Sequence, residues 1–190
     1  MEIKLTGEIL SFADFRKYSN IFIETGSAMG DGIKLALSAG FERIKSVEAK
    51  DTYYNYCTKC FKDNKEVELF FGMSKDRMKE MLADINTPAV FFLDAHVSGE
   101  NSAGHQDYLE KGNESDYAQD KCLIAEIEII LKNGINHIII IDDQSDESLD
   151  ENLKYRKMIL DSNPSYKFFF YHEKRGQYFY ENKIIVCIPQ

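Results

Sequence analysis

The chain has no tryptophan, only three prolines and no apolar run near the ~20 residues of a membrane span, so no membrane partner is expected. Positive charge is also scarce: 23 basic residues face 32 acidic ones, and the net charge of −9 would repel a phosphate backbone unless basic residues were gathered on one face. They are not gathered. Lys59, Lys62 and Lys65 are interleaved with Asp63 and Glu66, as on a solvated helix end, so no nucleic-acid partner is expected. Met1 to Leu10 lacks the basic-then-apolar pattern of a secretory signal, and a cytoplasmic location is the expectation. Of the four cysteines, Cys57 and Cys60 have the spacing of half a zinc or redox site but no second pair, and read as reduced thiols.

What is present is a regular alternation of apolar runs and amphipathic stretches. Strands are expected at Ile21–Glu24, Ile44–Glu48, Val67–Phe71, Ala89–Asp94 and His137–Asp142. Helices are expected at Gly30–Ala39, Asp51–Phe61, Ser74–Ile85, Asp120–Leu131 and Ser148–Leu160. Repeated βα units imply an α/β fold with a parallel sheet covered on both faces. After Pro164 the pattern becomes Tyr166–His172, a turn through Glu173-Lys174-Arg175-Gly176, then Gln177–Tyr180 and Ile184–Ile188, an antiparallel hairpin. With 190 residues and 44% hydrophobic content, one domain over 1–190 is expected. The first twenty residues suggest a cap helix or an edge segment, with Ser11 or Asp14 as possible helix starts. Residues 97–119, polar and without apolar periodicity, follow the fourth strand and are expected to form an acceptor-site lid.

The first strand of this series runs into Glu24-Thr25-Gly26-Ser27-Ala28-Met29-Gly30-Asp31-Gly32. An apolar strand ending in an acid, followed by glycines at a helix start, is how doubly wound sheets hold adenosine-containing ligands. Gly30 is not followed by the Lys-Ser or Lys-Thr of a phosphate loop, and the carboxylate of Glu24 would repel a pyrophosphate. It suits the cationic methionine end of S-adenosylmethionine. Glu48, ending the next strand, is placed for ribose hydroxyls.

Asp94, Asp142 and Asp143 fall at the ends of two strands expected to be neighbours ~5 Å apart. Converging carboxylates suit a hard divalent cation, whereas an isolated Asp142 or Asp143 would simply cap the following helix. His96 can reach the same pocket as a general base for a hydroxyl, a further metal ligand or a packed side chain. His105, His137 and His172 offer weaker signals.

With these motifs in order, the chain resembles a Rossmann-like class I S-adenosylmethionine-dependent methyltransferase, and within that group the metal-dependent O-methyltransferases of the catechol O-methyltransferase and macrolide-sugar type. Glu24 to Gly30 matches the E-x-G-x-x-x-G loop, Gly72-Met73-Ser74-Lys75-Asp76 a G-x-S-x-D stretch, and Phe92-Leu93-Asp94 and Ile141-Asp142-Asp143 the two metal-ligand segments. The match spans residues 21 to 143. The resemblance implies a mostly parallel seven-stranded sheet with a C-terminal hairpin. It implies cofactor contacts from Glu24, Thr25, Gly26, Ser27, Gly30, Glu48, Ala49, Gly72, Met73, Ser74 and Asp94, with adenine at Met73 and Ser74. Metal ligands would be Asp94, Asp142 and Asp143 for Mg²⁺ or Mn²⁺, and the catalytic residues His96 and Asp94. Two departures stand out: Val97 occupies the position of the catechol enzymes' lysine base, and Asp142-Asp143 replaces their Asp-Asn pair. The expected activity is methyl transfer to a hydroxyl of a sugar or glycan. The alternatives are a small phenolic or catechol-like acceptor, and a non-catalytic S-adenosylmethionine-binding module.

Overall fold

The computed structural model describes residues 3–97, 99–144 and 154–190. Its sheet contains β1 (Ile3–Ile9), β2 (Ile21–Thr25), β3 (Arg43–Glu48), β4 (Val67–Phe71), β5 (Val90–Leu93), β6 (Ile138–Ile141), β7 (Lys167–Arg175) and β8 (Tyr178–Ile188). The helices are α1 (Asp31–Ser38), α2 (Asp51–Cys60), α3 (Ser74–Leu82), α4 (His105–Lys111), α5 (Gln119–Lys132) and α6 (Lys154–Ser162). Strand order is β1-β7-β8-β6-β5-β2-β3-β4, parallel except where β8 pairs with β6 and β7. The order reverses between β5 and β2, where ligands of open α/β sheets bind.

The central strands are apolar on both faces because both faces are covered. Ile21, Ile23, Phe91, Ile139 and Ile141 pack with Met78, Met81, Leu123, Ile127 and Ile159 of α3, α5 and α6. The alternate residues, Phe22, Val90, Ile138 and Ile140, pack with Phe12, Phe15, Ile33, Ala36 and Cys57 on the other side. The period-2 alternation of strand side chains thus divides one run, Ile138 to Ile141, between two cores. No helix among the described residues is long and apolar enough to cross a membrane.

The sheet has eight strands rather than seven. The additional strand is β1, which joins the outer edge of β7 in parallel, with Leu5 opposite Phe170. A 3₁₀ turn, Phe12–Phe15, follows Ser11, so residues 3–20 contain an edge strand and a short turn that plugs Phe12 and Phe15 into the core. The hairpin also differs. Glu173 to Arg175, expected as a turn, are strand residues opposite Tyr180, Phe179 and Tyr178, and β8 is continuous across the expected gap. The register shifts between Tyr171 and Glu173, and Asn182 takes a left-handed φ of 49° with its N–H donated to His172 Nδ1 at 3.0 Å. A bulge therefore stands where the sequence suggested a break. Of the helix expected over Ser148–Leu160, residues 148–153 lie outside the described residues.

Candidate functional site

Two clefts open at the β2–β5 switch. The first, of about 350 Å³, is lined by Gly26, Ala28, Glu48, Ala49, Gly72, Met73, Ser74 and Asp94, all but Ala28 expected as cofactor contacts. Tyr53, Ala95, His96, Tyr117 and Cys122 also line it. The tyrosines lie in α2 and the connection after β5, where only a folded chain brings aromatic rings to the cleft. The second cleft, of about 690 Å³, contains Glu24, Ser27, Asp142, Glu173 and Arg175, with an apolar wall that includes Phe12, Leu35 and Phe92. Gly26, Ala28 and Asp94 line both clefts.

The loop after β2 is fixed by close approach. Gly26 has a φ of +83°, and a Cβ there would lie 2.6 Å from the carbonyl oxygen of Asp94. A Cβ on Gly32 would lie 1.8 Å from Glu24 Oε1. Gly26 therefore needs glycine, and a side chain at position 32 would displace the Glu24 carboxyl. Glu48 anchors the same loop: Oε2 accepts the Ala28 N–H at 2.8 Å and Oε1 the Lys50 N–H at 2.7 Å. A carboxylate has about four lone-pair sites, so Glu48, at the cleft wall, retains capacity for ligand hydroxyls.

Glu24 lies deeper than its sequence position suggested. It is 1% exposed, and burial pushes its carboxyl up to about 8, against the lowering influence of Ser46. Ser46 Oγ donates to Glu24 Oε2 at 2.5 Å and lies 2.6 Å from Ser27 Oγ. Because Ser46 gives its proton to Glu24, Ser27 must donate to Ser46. Thr25 is fully buried, and Gly30 caps α1 with a left-handed φ of 76° while packing on Phe61 and Cys57.

The strand-end acids sit one or two residues past β5 and β6. Asp94, His96 and Asp143 each offer one ligand atom within 4.8 Å of the others. Asp142, expected in that set, is turned toward the hairpin instead: Oδ2 lies 2.9 Å from an Arg175 guanidinium nitrogen and Oδ1 accepts the Asp143 N–H at 2.7 Å. Burial, then Glu173, pushes the Asp142 carboxyl up to about 6. Asp94 is held well above the usual carboxylate range by burial and by the nearby Asp142 and Asp143. Asp143 is held well below it by His96 and by Lys183, whose Nζ is 3.1 Å away.

His96 Nε2 is 2.9 Å from Asp143 Oδ2, and Nδ1 is 3.7 Å from Asp94 Oδ1. An ionised Asp143 can only accept, so Nε2 carries the proton and neutral His96 presents Nδ1 as its basic atom. Lys183 and Arg175 were not legible as site residues because they come from the distant hairpin.

The connection after β5 is more ordered than expected, with α4 and a 3₁₀ turn, Gly112–Glu114. Gly99, Glu100, Asn101, Ser102, Ala103 and Tyr117 line the first cleft, and no described residue between 97 and 119 lines the second. Ser98, at its start, lies outside the described residues. Lys50 Nζ bonds the carbonyl of Asn101, and Lys75 Nζ pairs with Asp116 at 2.9 Å, tying the segment to α2 and α3. The segment expected as an acceptor-site lid thus lines the cleft with the cofactor-type lining, on the side where these lysines tie it.

No protein-family model matches the sequence, and no curated protein matches it. Solved structures do. An O-methyltransferase from Bacillus cereus, in complex with S-adenosylhomocysteine, is similar with a TM-score of 0.61 and 16% identity over 94% of this chain and 79% of that one. TomG from Streptomyces achromogenes, an O-methyltransferase involved in tomaymycin synthesis and solved with S-adenosylmethionine, gives 0.60 and 10% over 94% and 77%. The chain has the Rossmann-like fold of the class I S-adenosylmethionine-dependent methyltransferases.

Proposed function

We propose that the protein is an S-adenosylmethionine-dependent O-methyltransferase, with the cofactor in the first cleft and the acceptor in the second. The observation that supports this is the junction of the two clefts at Gly26, Ala28 and Asp94, the one stretch of wall they share with an ionisable group. Bound S-adenosylmethionine supplies the methyl group. Glu48 takes the ribose hydroxyls, Met73 and Ser74 the adenine, and Asp94, on the wall both clefts share, the cationic methionine end, which would reach past it toward Glu24 in the second cleft.

The donor set also suits a divalent cation, Mg²⁺ or Mn²⁺. Two carboxylates and an imidazole converge within 4.8 Å; burial, and after it the neighbouring acids, hold the Asp94 carboxyl well above its ordinary range, and a cation would relieve the repulsion among those acids. Asp94 and Asp143 would hold it. When bound, such a cation supplies Lewis-acid polarisation of an acceptor hydroxyl. Asp143 orients His96, whose Nδ1 lies 3.7 Å from Asp94 on the wall the clefts share and takes the hydroxyl proton there. Arg175 and Lys183 offset the negative charge of Asp142 and Asp143.

The acceptor is a hydroxyl compound, and a sugar or glycan is the first assignment, since a weakly acidic hydroxyl gains most from the base and cation. The apolar wall at Phe12, Leu35 and Phe92 favours a second, a small phenolic metabolite. Titration with S-adenosylmethionine and Mn²⁺, then a mass screen of glycans and phenols for a gain of one methyl, tests both. Failure to bind S-adenosylmethionine would refute the enzyme assignment.

A further inference from the structure

The connection after β5 is held differently from the rest of the chain. No described residue between 97 and 117 belongs to either apolar core, and α4 buries none of its side chains. Leu109 of that helix is 64% exposed. The segment is instead closed on itself. The Val97 N–H donates to the Tyr117 carbonyl at 3.2 Å, and Ser115 Oγ donates to Asp107 Oδ2 at 2.6 Å. The Tyr117 ring packs so closely on Gly104 that a Cβ there would lie 2.1 Å from it. Ends that meet and a filling of its own side chains make the connection a compact unit.

Its ties to the neighbouring helices are polar, and they start beside residues that line the first cleft. Lys50, the N-cap of α2, follows the lining residue Ala49 and bonds the Asn101 carbonyl through Nζ. Lys75, in the first turn of α3, follows the lining residue Ser74 and pairs with Asp116 at 2.9 Å. Gly99 to Ala103, around the first tie, and Tyr117, beside the second, themselves line the cleft. The side chains of Lys75 and Asp116 are 32% and 60% exposed. An exposed pair of this kind shifts an equilibrium by no more than about fivefold. A segment outside both cores and fastened by such ties belongs to the part of a fold that opens most readily.

We propose that residues 99–117 form a lid on the first cleft, latched to α2 by Lys50 and to α3 by Lys75, and that its opening admits S-adenosylmethionine and releases S-adenosylhomocysteine. This rests on the assignment of that cleft to the cofactor. A latch that only holds the lid shut acts on the empty and the filled cleft alike. Breaking it speeds entry and exit together and leaves affinity nearly unchanged.

The test measures association and dissociation of S-adenosylhomocysteine by surface plasmon resonance on wild type, Lys75→Met, Asp116→Asn and the double variant. Each single variant should raise both rates by about two- to fivefold, with the dissociation constant within about twofold of wild type. The double variant should match the single ones, because all three lose the same latch. Faster dissociation with unchanged association would make the pair a contact that holds the ligand, and unchanged rates would make the segment a fixed wall. Either result overturns the proposal, as do single-variant effects that multiply in the double variant. Lys50→Met, which breaks the other tie, replaces any variant that does not fold and should shift both rates the same way. A wild-type protein that does not bind S-adenosylhomocysteine refutes the cleft assignment instead, a failure visible before any variant is compared.

Discussion

His96 is fastened to Asp143 through Nε2 at 2.9 Å, leaving Nδ1 on the side of Asp94. That geometry gives His96→Ala a definite expectation. Methyl transfer should fall by about 10²–10⁴-fold, the usual worth of a general base, with S-adenosylmethionine affinity nearly unchanged. Single-turnover rates and calorimetry separate the two quantities. Loss of Mn²⁺ binding in this variant would make His96 a ligand, and full activity would make it a packing residue.

The cation site divides the acids unequally. Asp94→Asn should weaken Mn²⁺ binding by more than about tenfold, a loss in keeping with removal of a charged ligand. Asp142→Asn, whose side chain is committed to Arg175, should keep it within about threefold. Electron paramagnetic resonance of free Mn²⁺ reads both directly. A larger loss at Asp142 than at Asp94 would return the site to the set expected from the sequence.

Glu48 holds the glycine loop through the Ala28 N–H and the start of α2 through the Lys50 N–H, as well as facing the cleft. Glu48→Ala should therefore cost about 1–3 kcal/mol of S-adenosylhomocysteine binding, the range for hydrogen bonds to a charged group. Wild-type affinity in this variant would sink the ribose role.

Stability should fall in mild acid because of His137. It is fully buried, its Nδ1 accepts the Ala89 N–H at 3.0 Å, and Nε2 donates to Asn133 at 3.0 Å. Burial lowers its pKa from 6.5 to about 4. The unfolded chain thus takes up the proton first, so this contribution is complete above pH 6.5 and is lost as pH falls toward 4. The loss should amount to up to about 3 kcal/mol. Denaturant titrations of wild type and His137→Gln across that window check it: the variant should be less stable at neutral pH and show the shallower slope.

Much of this site was legible because strand ends announce themselves. Glu48, Asp94 and Asp142 each close or follow an apolar run, and a parallel sheet brings such ends to one edge. Glycine spacing identified the loop at Gly26 for the same local reason. What stayed hidden depends on long-range geometry. Arg175 and Lys183 reach the acids only because the hairpin folds back beside β6, and Glu173 to Arg175 looked like a turn because their cross-strand partners are not local. The side on which the connection after β5 lies was likewise hidden, since it is tied there by Lys50 and Lys75, two lysines among many.

The pairing of β1 with β7 sets a timetable for the nascent chain. Leu5 finds its place opposite Phe170, so β1 is synthesised long before the strand it pairs with and must wait for it. Such a distant contact closes a very long loop and is slow to form. Until then Leu5 and Ile9, still 55% and 46% exposed in the finished fold, belong to a strand without a neighbour. The pairings that join β2 to β6 span shorter stretches of chain and close smaller loops.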